Sequence, residues 1–223
     1  MDVGLVRSRI AAAAARAGRP AESVRILAVT KGHPLGRARE AAAAGLLDLG
    51  ENRVQEALAK QDAWPDAPVR WHLIGHLQRN KVRLAVGRFA LIHSLDSIRL
   101  ADALEAAAAA AGSVQDVLVE VNVAREPQKG GAAPEEAPAL VGRAAALPHL
   151  RLLGLMAMAP YGASVAEQHR VFGGLRELRD SLATSALELA VLSMGMSDDF
   201  EAAVEEGATM VRLGTVLFGE RAS

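Results

Sequence analysis

Short apolar runs recur eight times along this chain, each followed by a stretch with helical periodicity, and few folds accommodate such an alternation. The runs lie at 25–31, 46–50, 69–74, 89–94, 117–123, 150–158, 189–194 and 209–213. A first helical pattern at 2–17 carries Val3, Val6 and Ile10 and is ended by Gly18 and Pro20. Further helices are expected at 34–44, from 51–56 onward, at 78–86, from a cap at Asp96 to Ala111, at 135–146, over Val165–Leu182, and from Ser197-Asp198-Asp199. Strands separated by helices argue for parallel βαβ units. Eight of them in 223 residues predict an α/β fold, a single (β/α)8 TIM-type barrel with an extra N-terminal helix and one domain over 1–223. An open doubly wound sheet is the alternative, but no G-x-G-x-x-G follows the first run, no Walker lysine motif occurs, and the Gly173-Gly174 pair falls inside a helical pattern.

Composition narrows the chemistry. Lys and Arg number 25 against 26 Asp and Glu, so no global field recruits nucleic acid or an anionic membrane. The chain has no cysteine, which removes thiolate nucleophiles, disulfides and cysteine-ligated metals, and no metal site is expected. Arg7, Arg9 and Arg16 interrupt the alanine-rich start, and no stretch approaches the roughly 18 consecutive apolar residues of a membrane span. The expectation is a cytoplasmic protein.

In such barrels the reactive groups sit at the C-terminal ends of the strands. The first run ends on Lys31, and Gly32 and Pro34 then turn the chain away. A partly desolvated lysine offers a neutral amine for Schiff-base chemistry, whereas a strand-end lysine that snorkels into solvent does nothing of the kind. The other tips carry Asn52, His72 with Gly75 and His76, His93 with Ser94, Asn122, Met156 with Met158, Ser193 with Met194, and Arg212 with Gly214 and Thr215. Each has an innocent reading: Asn52 as a cap, His72 as a satisfied core histidine, Asn122 as a turn residue, the methionines as packing. Ser193-Met194-Gly195-Met196-Ser197-Asp198-Asp199 reads equally as a capped helix or as an anion cradle of free backbone N–H groups, a place where barrels often bind phosphate. Gly214-Thr215 fits the same pocket. A lysine and a phosphate cradle on one barrel face suggest pyridoxal 5'-phosphate, and Arg212 against the pyridine nitrogen would weaken the ring as an electron sink.

Five stretches together carry a family resemblance: Ala28-Val29-Thr30-Lys31, Gly50-Glu51-Asn52-Arg53-Val54-Gln55-Glu56, Trp71 through Lys81, Leu192 through Asp199, and Val211-Arg212-Leu213-Gly214-Thr215. They resemble the pyridoxal phosphate homeostasis protein family (YggS/PROSC-like) over nearly the whole chain. The resemblance implies a barrel like the N-terminal domain of alanine racemase, with the cofactor on Lys31 as an internal aldimine. It puts Ser193, Ser197, Gly214 and Thr215 in the phosphate region with Met194 beside them, Arg212 at the ring nitrogen, and Asn52 and His72 around the ring. It further implies a cofactor carrier or regulator without established turnover, a monomer or weak dimer whose acceptors are pyridoxal phosphate-dependent apoenzymes. Two departures are visible. Gly32-His33 replaces a polar residue and a lysine found in many relatives, and Gln128-Lys129-Gly130-Gly131 keeps only the lysine-x-glycine part of the usual loop.

Two enzymatic readings stand beside the carrier. A two-base racemase needs a second acid/base, which alanine racemase takes from a tyrosine of an additional domain; the only tyrosine here is Tyr161. A cofactor-free Schiff-base aldolase needs a carboxylate or second lysine near Lys31, and Glu51 is the tip carboxylate the sequence nominates.

Overall fold

The computed structural model describes residues 1–220, and in it the alternation closes on itself. Eight parallel strands follow one another in sequence order: β1 (Arg25–Val29), β2 (Asp48–Glu51), β3 (Arg70–Leu73), β4 (Leu91–Leu95), β5 (Gln115–Glu120), β6 (Leu150–Met156), β7 (Val191–Ser193) and β8 (Met210–Leu213). β8 then pairs with β1, Arg212 standing opposite Leu27, and the barrel is shut. The helices are α1 (Val3–Arg16), α2 (Leu35–Ala43), α3 (Val54–Asp62), α4 (Val82–Ala85), α5 (Ile98–Ala110), α6 (Ala137–Ala145), α7 (Val165–Leu182), α8 (Phe200–Glu205) and α9 (Thr215–Phe218). Among the described residues no helix is long and apolar enough to cross a membrane.

Helical periodicity decides which faces are buried. On α1 the buried residues are Val6, Ile10, Ala13 and Ala14, and on α5 they are Leu100, Ala101, Leu104 and Ala108, one stripe in each case. These stripes pack on the outward-facing strand residues in one large apolar cluster. The extra helix α1 joins the start of the chain to its end. Arg9 Nε donates to Glu201 at 2.8 Å with its guanidinium 4.6 Å from the Phe200 ring, Arg16 Nε donates to Glu205 at 2.6 Å, and Arg19 reaches the carbonyls of Val204 and Ala208.

The inside of the barrel is divided. Leu91, Leu118, Met156 and Val191 form a small apolar cluster of their own. Leu27 also faces in, and several other inward positions, identified by the alternation of strand side chains, are polar. Val211 and Leu213 belong to the outer cluster, so Arg212 points in, and the same alternation turns in Asp48, His72, His93, Glu120 and Ser193. All six are buried.

The expected elements are present with shifted ends. The second strand begins at Asp48 and runs through Glu51, so Leu46 packs in the outer core and Glu51 is a strand residue and not the opening of a helix. The basic segment at 78–86 is a 3-10 turn, Arg79–Lys81, followed by the single-turn α4, and the short α9 was not expected at all. Asp96 does not cap α5. That role falls to Ser97, whose Oγ accepts from Leu100 N at 3.3 Å, while Asp96 faces His76 at 3.1 Å. Ser97→Ala should therefore lower the unfolding free energy by about 1 kcal/mol in urea titrations, and Asp96→Ala should cost clearly less.

Candidate functional site

Lys31 follows β1 with one residue, Thr30, between, half-buried, on a turn that is tied on both sides. Before it, Thr30 is fully buried: its N–H donates to Gly50 O at 2.9 Å, and its carbonyl accepts from Lys60 Nζ at 2.8 Å. After it, Gly32 N donates to Glu56 Oε1 at 2.7 Å. Glu51 links these contacts, because its Oε1 accepts from both Thr30 Oγ1 and Lys60 Nζ at 2.6 Å. Burial raises the Glu51 pKa, with hydrogen bonds from Lys60 and Thr30 pulling the other way. This carboxylate faces α3 and anchors the lysine turn from behind, so it cannot serve the barrel mouth as the aldolase reading required.

On the next strand round the ring, Arg212 is only 4% exposed. Its Nη1 donates to Ser193 O at 2.6 Å and Ser193 Oγ at 2.9 Å, and its Nη2 donates to Ala157 O at 3.0 Å. Among the described residues these bonds leave Nε–H and one Nη2–H uncommitted. Desolvation lowers the Arg212 pKa to about 10, with Glu120 and Asp199 opposing, so the group is charged at neutral pH. Ser193 continues inward to His93 Nδ1 at 2.9 Å, His93 Nε2 meets His72 Nδ1 at 2.9 Å, and His72 Nε2 meets Asp48 Oδ1 at 3.0 Å. Asp48 is gripped by Arg70 Nε at 2.6 Å and Nη2 at 2.9 Å. His72 and Ser193 thus lie within the barrel with their polar side-chain atoms engaged by neighbouring side chains.

Burial lowers the pKa of both histidines, that of His93 the further, and His72 and Arg212 add to the effect on His93. Both rings are neutral at pH 7. Burial by itself would raise the Asp48 carboxyl, but the hydrogen bonds from His72 and Arg70 outweigh it and hold the group well below the usual carboxylate range. With His72 uncharged, Arg70 is the cation that answers Asp48.

The loops after β7 and β8 meet at Ser197. Its Oγ accepts from Val216 N at 3.2 Å and Gly214 N at 3.4 Å, and Thr215 between them is exposed. Backbone amides converging on one polar point are the donor set an anion needs. Gly195 makes the first loop possible: its φ is 91°, and a Cβ there would stand 2.6 Å from Ala203 Cβ. Asp199 Oδ1 folds back to accept from Met196 N at 2.5 Å and makes no cap bond within α8. Met194 offers only backbone to this region, since its side chain is in the outer core. Asn52 lies against Gly75, where a Cβ would come within 2.3 Å of Asn52 O. Asn122 is a turn former, its Nδ2 donating to Glu126 O at 2.8 Å and its Oδ1 accepting from Glu126 N.

With amine, guanidinium and amide cluster on neighbouring strands, comparison with known proteins becomes informative. Residues 1–222 match the family described as alanine racemase, N-terminal domain. The pyridoxal phosphate homeostasis protein of Pseudomonas aeruginosa is 48% identical over 220 residues, 99% of this chain and 94% of that protein. This chain belongs to the pyridoxal phosphate homeostasis protein family. The structure of PipY of Synechococcus elongatus with pyridoxal phosphate bound superposes with a TM-score of 0.84 at 40% identity, covering 96% of this chain and 100% of PipY. An alanine racemase of Clostridium difficile has a TM-score of 0.77 at 16% identity over 97% of this chain and 56% of its own; that likeness speaks for the barrel alone.

One residue of this family member's mouth escaped the sequence reading. Glu120 ends β5, is 6% exposed, and lies beneath Gly130 and Gly131 of a loop that returns to it, Ala132 N donating to Glu120 O at 2.8 Å. An acid alternating with valines in an apolar run was the available signal. Burial pushes the Glu120 carboxyl up to about 7 against the pull of Arg212. A carboxyl raised on folding contributes most below its unfolded pKa, and that contribution is lost as pH rises through the folded value. The shift from 4.5 to about 7 corresponds to a change on the order of 3 kcal/mol. Glu120→Gln should therefore match wild type in melting temperature near pH 4.5 and exceed it by several degrees at pH 8; a pH-independent difference in calorimetry would contradict the assignment.

Proposed function

We propose that this chain binds pyridoxal 5'-phosphate at the C-terminal mouth of the barrel, with Lys31 holding it as a Schiff base, and acts in cofactor homeostasis as a carrier or regulator. The observation that carries this reading is adjacency: β7, β8 and β1 are consecutive around the ring, and they bring the Ser197–Gly214 amide cluster, Arg212 and Lys31 to one sector of one face. Bound pyridoxal phosphate supplies an aldehyde that amines capture reversibly and a ring that withdraws electrons. Lys31 is the capturing amine. Ser197, Gly214 and Thr215 would take the phosphate, Asn52 would contribute at the ring, and Arg212 would offer its uncommitted N–H groups to the ring nitrogen.

The Arg212 charge is what separates holding from transforming. A fixed guanidinium opposes a second positive charge on the adjacent ring nitrogen, which keeps that nitrogen an acceptor and leaves the ring a weak electron sink. Tyr161, needed for a two-base racemase, is 94% exposed and lacks the desolvated setting of a catalytic acid. The working context of the proposal is cytoplasmic, with apoenzymes that need the cofactor as acceptors and a monomer or weak dimer as the acting form.

Purified protein should show a visible absorption band that borohydride abolishes while fixing the cofactor to Lys31. Lys31→Ala should fold normally and lack the band; trapping on another lysine with the band unchanged would refute the assignment. Wild-type protein incubated with D- or L-alanine should racemise it no faster than free cofactor does, and turnover on the order of 1 per second or above would make it an enzyme.

A further inference from the structure

We infer that Arg212, Ser193, His93, His72 and Asp48 form one polarised hydrogen-bond relay across the barrel, every donor pointing the same way, and that Ser193, His93 and His72 are positioning residues for Arg212. For the protein alone this rests on the contacts themselves; only its effect on a cofactor rests on the proposed function.

The direction follows from the two ends. A guanidinium can only donate, so Ser193 Oγ is the acceptor of the 2.9 Å bond from Arg212 Nη1. The single hydroxyl proton of Ser193 then goes to its other partner, His93 Nδ1, at 2.9 Å. A neutral ring that accepts at Nδ1 carries its proton at Nε2, so His93 Nε2–H donates to His72 Nδ1 at 2.9 Å. The same logic puts the His72 proton on Nε2, aimed at Asp48 Oδ1 at 3.0 Å. Asp48, a carboxylate, can only accept, and Arg70 balances its charge. The reverse order fails at both ends: Ser193 would face two donors with its own proton unused, and the Asp48 carboxylate would confront a bare imidazole lone pair.

The far end opens on a different part of the molecule. Asp48 and Arg70, with Arg7 and Arg25, line a cavity of about 660 Å³ at the N-terminal face of the barrel, opposite the mouth. The relay thus joins a charged pair at one face to the guanidinium at the other. Removing the Asp48 charge weakens every acceptor up the line, and the field that Arg212 presents at the mouth changes with it.

Nitrogen-15 NMR of the histidine side chains in cofactor-free protein tests the relay directly. Both His72 and His93 should be neutral Nε2–H tautomers between pH 7 and 8, and Asp48→Asn should shift the resonances of both rings. An Nδ1–H tautomer at either position, a charged ring, or an Asp48→Asn change confined to His72 would overturn the relay. Ser193→Ala should release His93 from its single tautomer. In cofactor-loaded protein, Asp48→Asn should move the absorption band, whereas Arg7→Gln, in the same cavity and off the relay, should leave it in place; equal spectra for Asp48→Asn and wild type would refute coupling to the mouth. Failure to bind cofactor would refute the proposed function and leave the NMR result to decide the relay.

Discussion

A guanidinium sealed inside a barrel is tolerable only if its N–H groups are used and its charge is answered, and the interior of this protein is arranged around meeting those two conditions for Arg212. The requirement reaches three strands. β7 must supply both a hydroxyl and a carbonyl at Ser193, the chain beyond β6 must present the Ala157 carbonyl, and acids must stand near enough to compensate, as Glu120 and Asp199 do. Once Ser193 is committed to Arg212, the histidines beneath it are constrained in turn. Apolar layers of the usual kind survive in part, as where Leu91, Leu118, Met156 and Val191 face one another.

A second buried ionic cluster lies on the other side of the strand layer and has a separate task. Lys60, Glu51, Glu56 and Thr30 fasten the backbone before and after Lys31, so the point from which its side chain springs stays put. Breaking such a cluster by removing one member exposes an uncompensated charge, which is worse than never having had it. The two clusters divide the work: one holds the cation inside the barrel, the other holds the turn that presents the amine.

The alternation of apolar runs and helical stretches made the barrel legible, since hydrophobic period is a local property and strand count needs only that period. Lys31, Arg212, Gly214 and Thr215 were legible as strand-tip residues for the same reason, and Ser197 as part of the loop that follows the seventh run. What the sequence concealed depends on which face a strand residue takes, and a shift of a strand's start conceals it further. Reading the second strand as 46–50 hid Asp48 as an inward residue, and without Asp48 the pairing of His72 with His93 has no visible purpose. Glu51 was misread by the same parity: nominated for the mouth, it belongs to the outer layer. Glu120 carried its signal openly, between Val119 and Val121, but the loop through Gly130 and Gly131 that buries it is a tertiary fact.

The seam where β8 meets β1 unites residues from opposite ends of the chain, and α1 clamps it through Arg9 and Glu201, which are 192 positions apart. Contacts of such long range are assembled late, because the loop they close must first be gathered at an entropic cost. Lys31 on one side of the seam and Gly214 on the other belong to one site only after that closure. A ligand that needs both sides therefore recognises the finished barrel, and by mass action it favours the closed ring over any opened form. For such a ligand, occupancy of the mouth and integrity of the fold would be a single equilibrium.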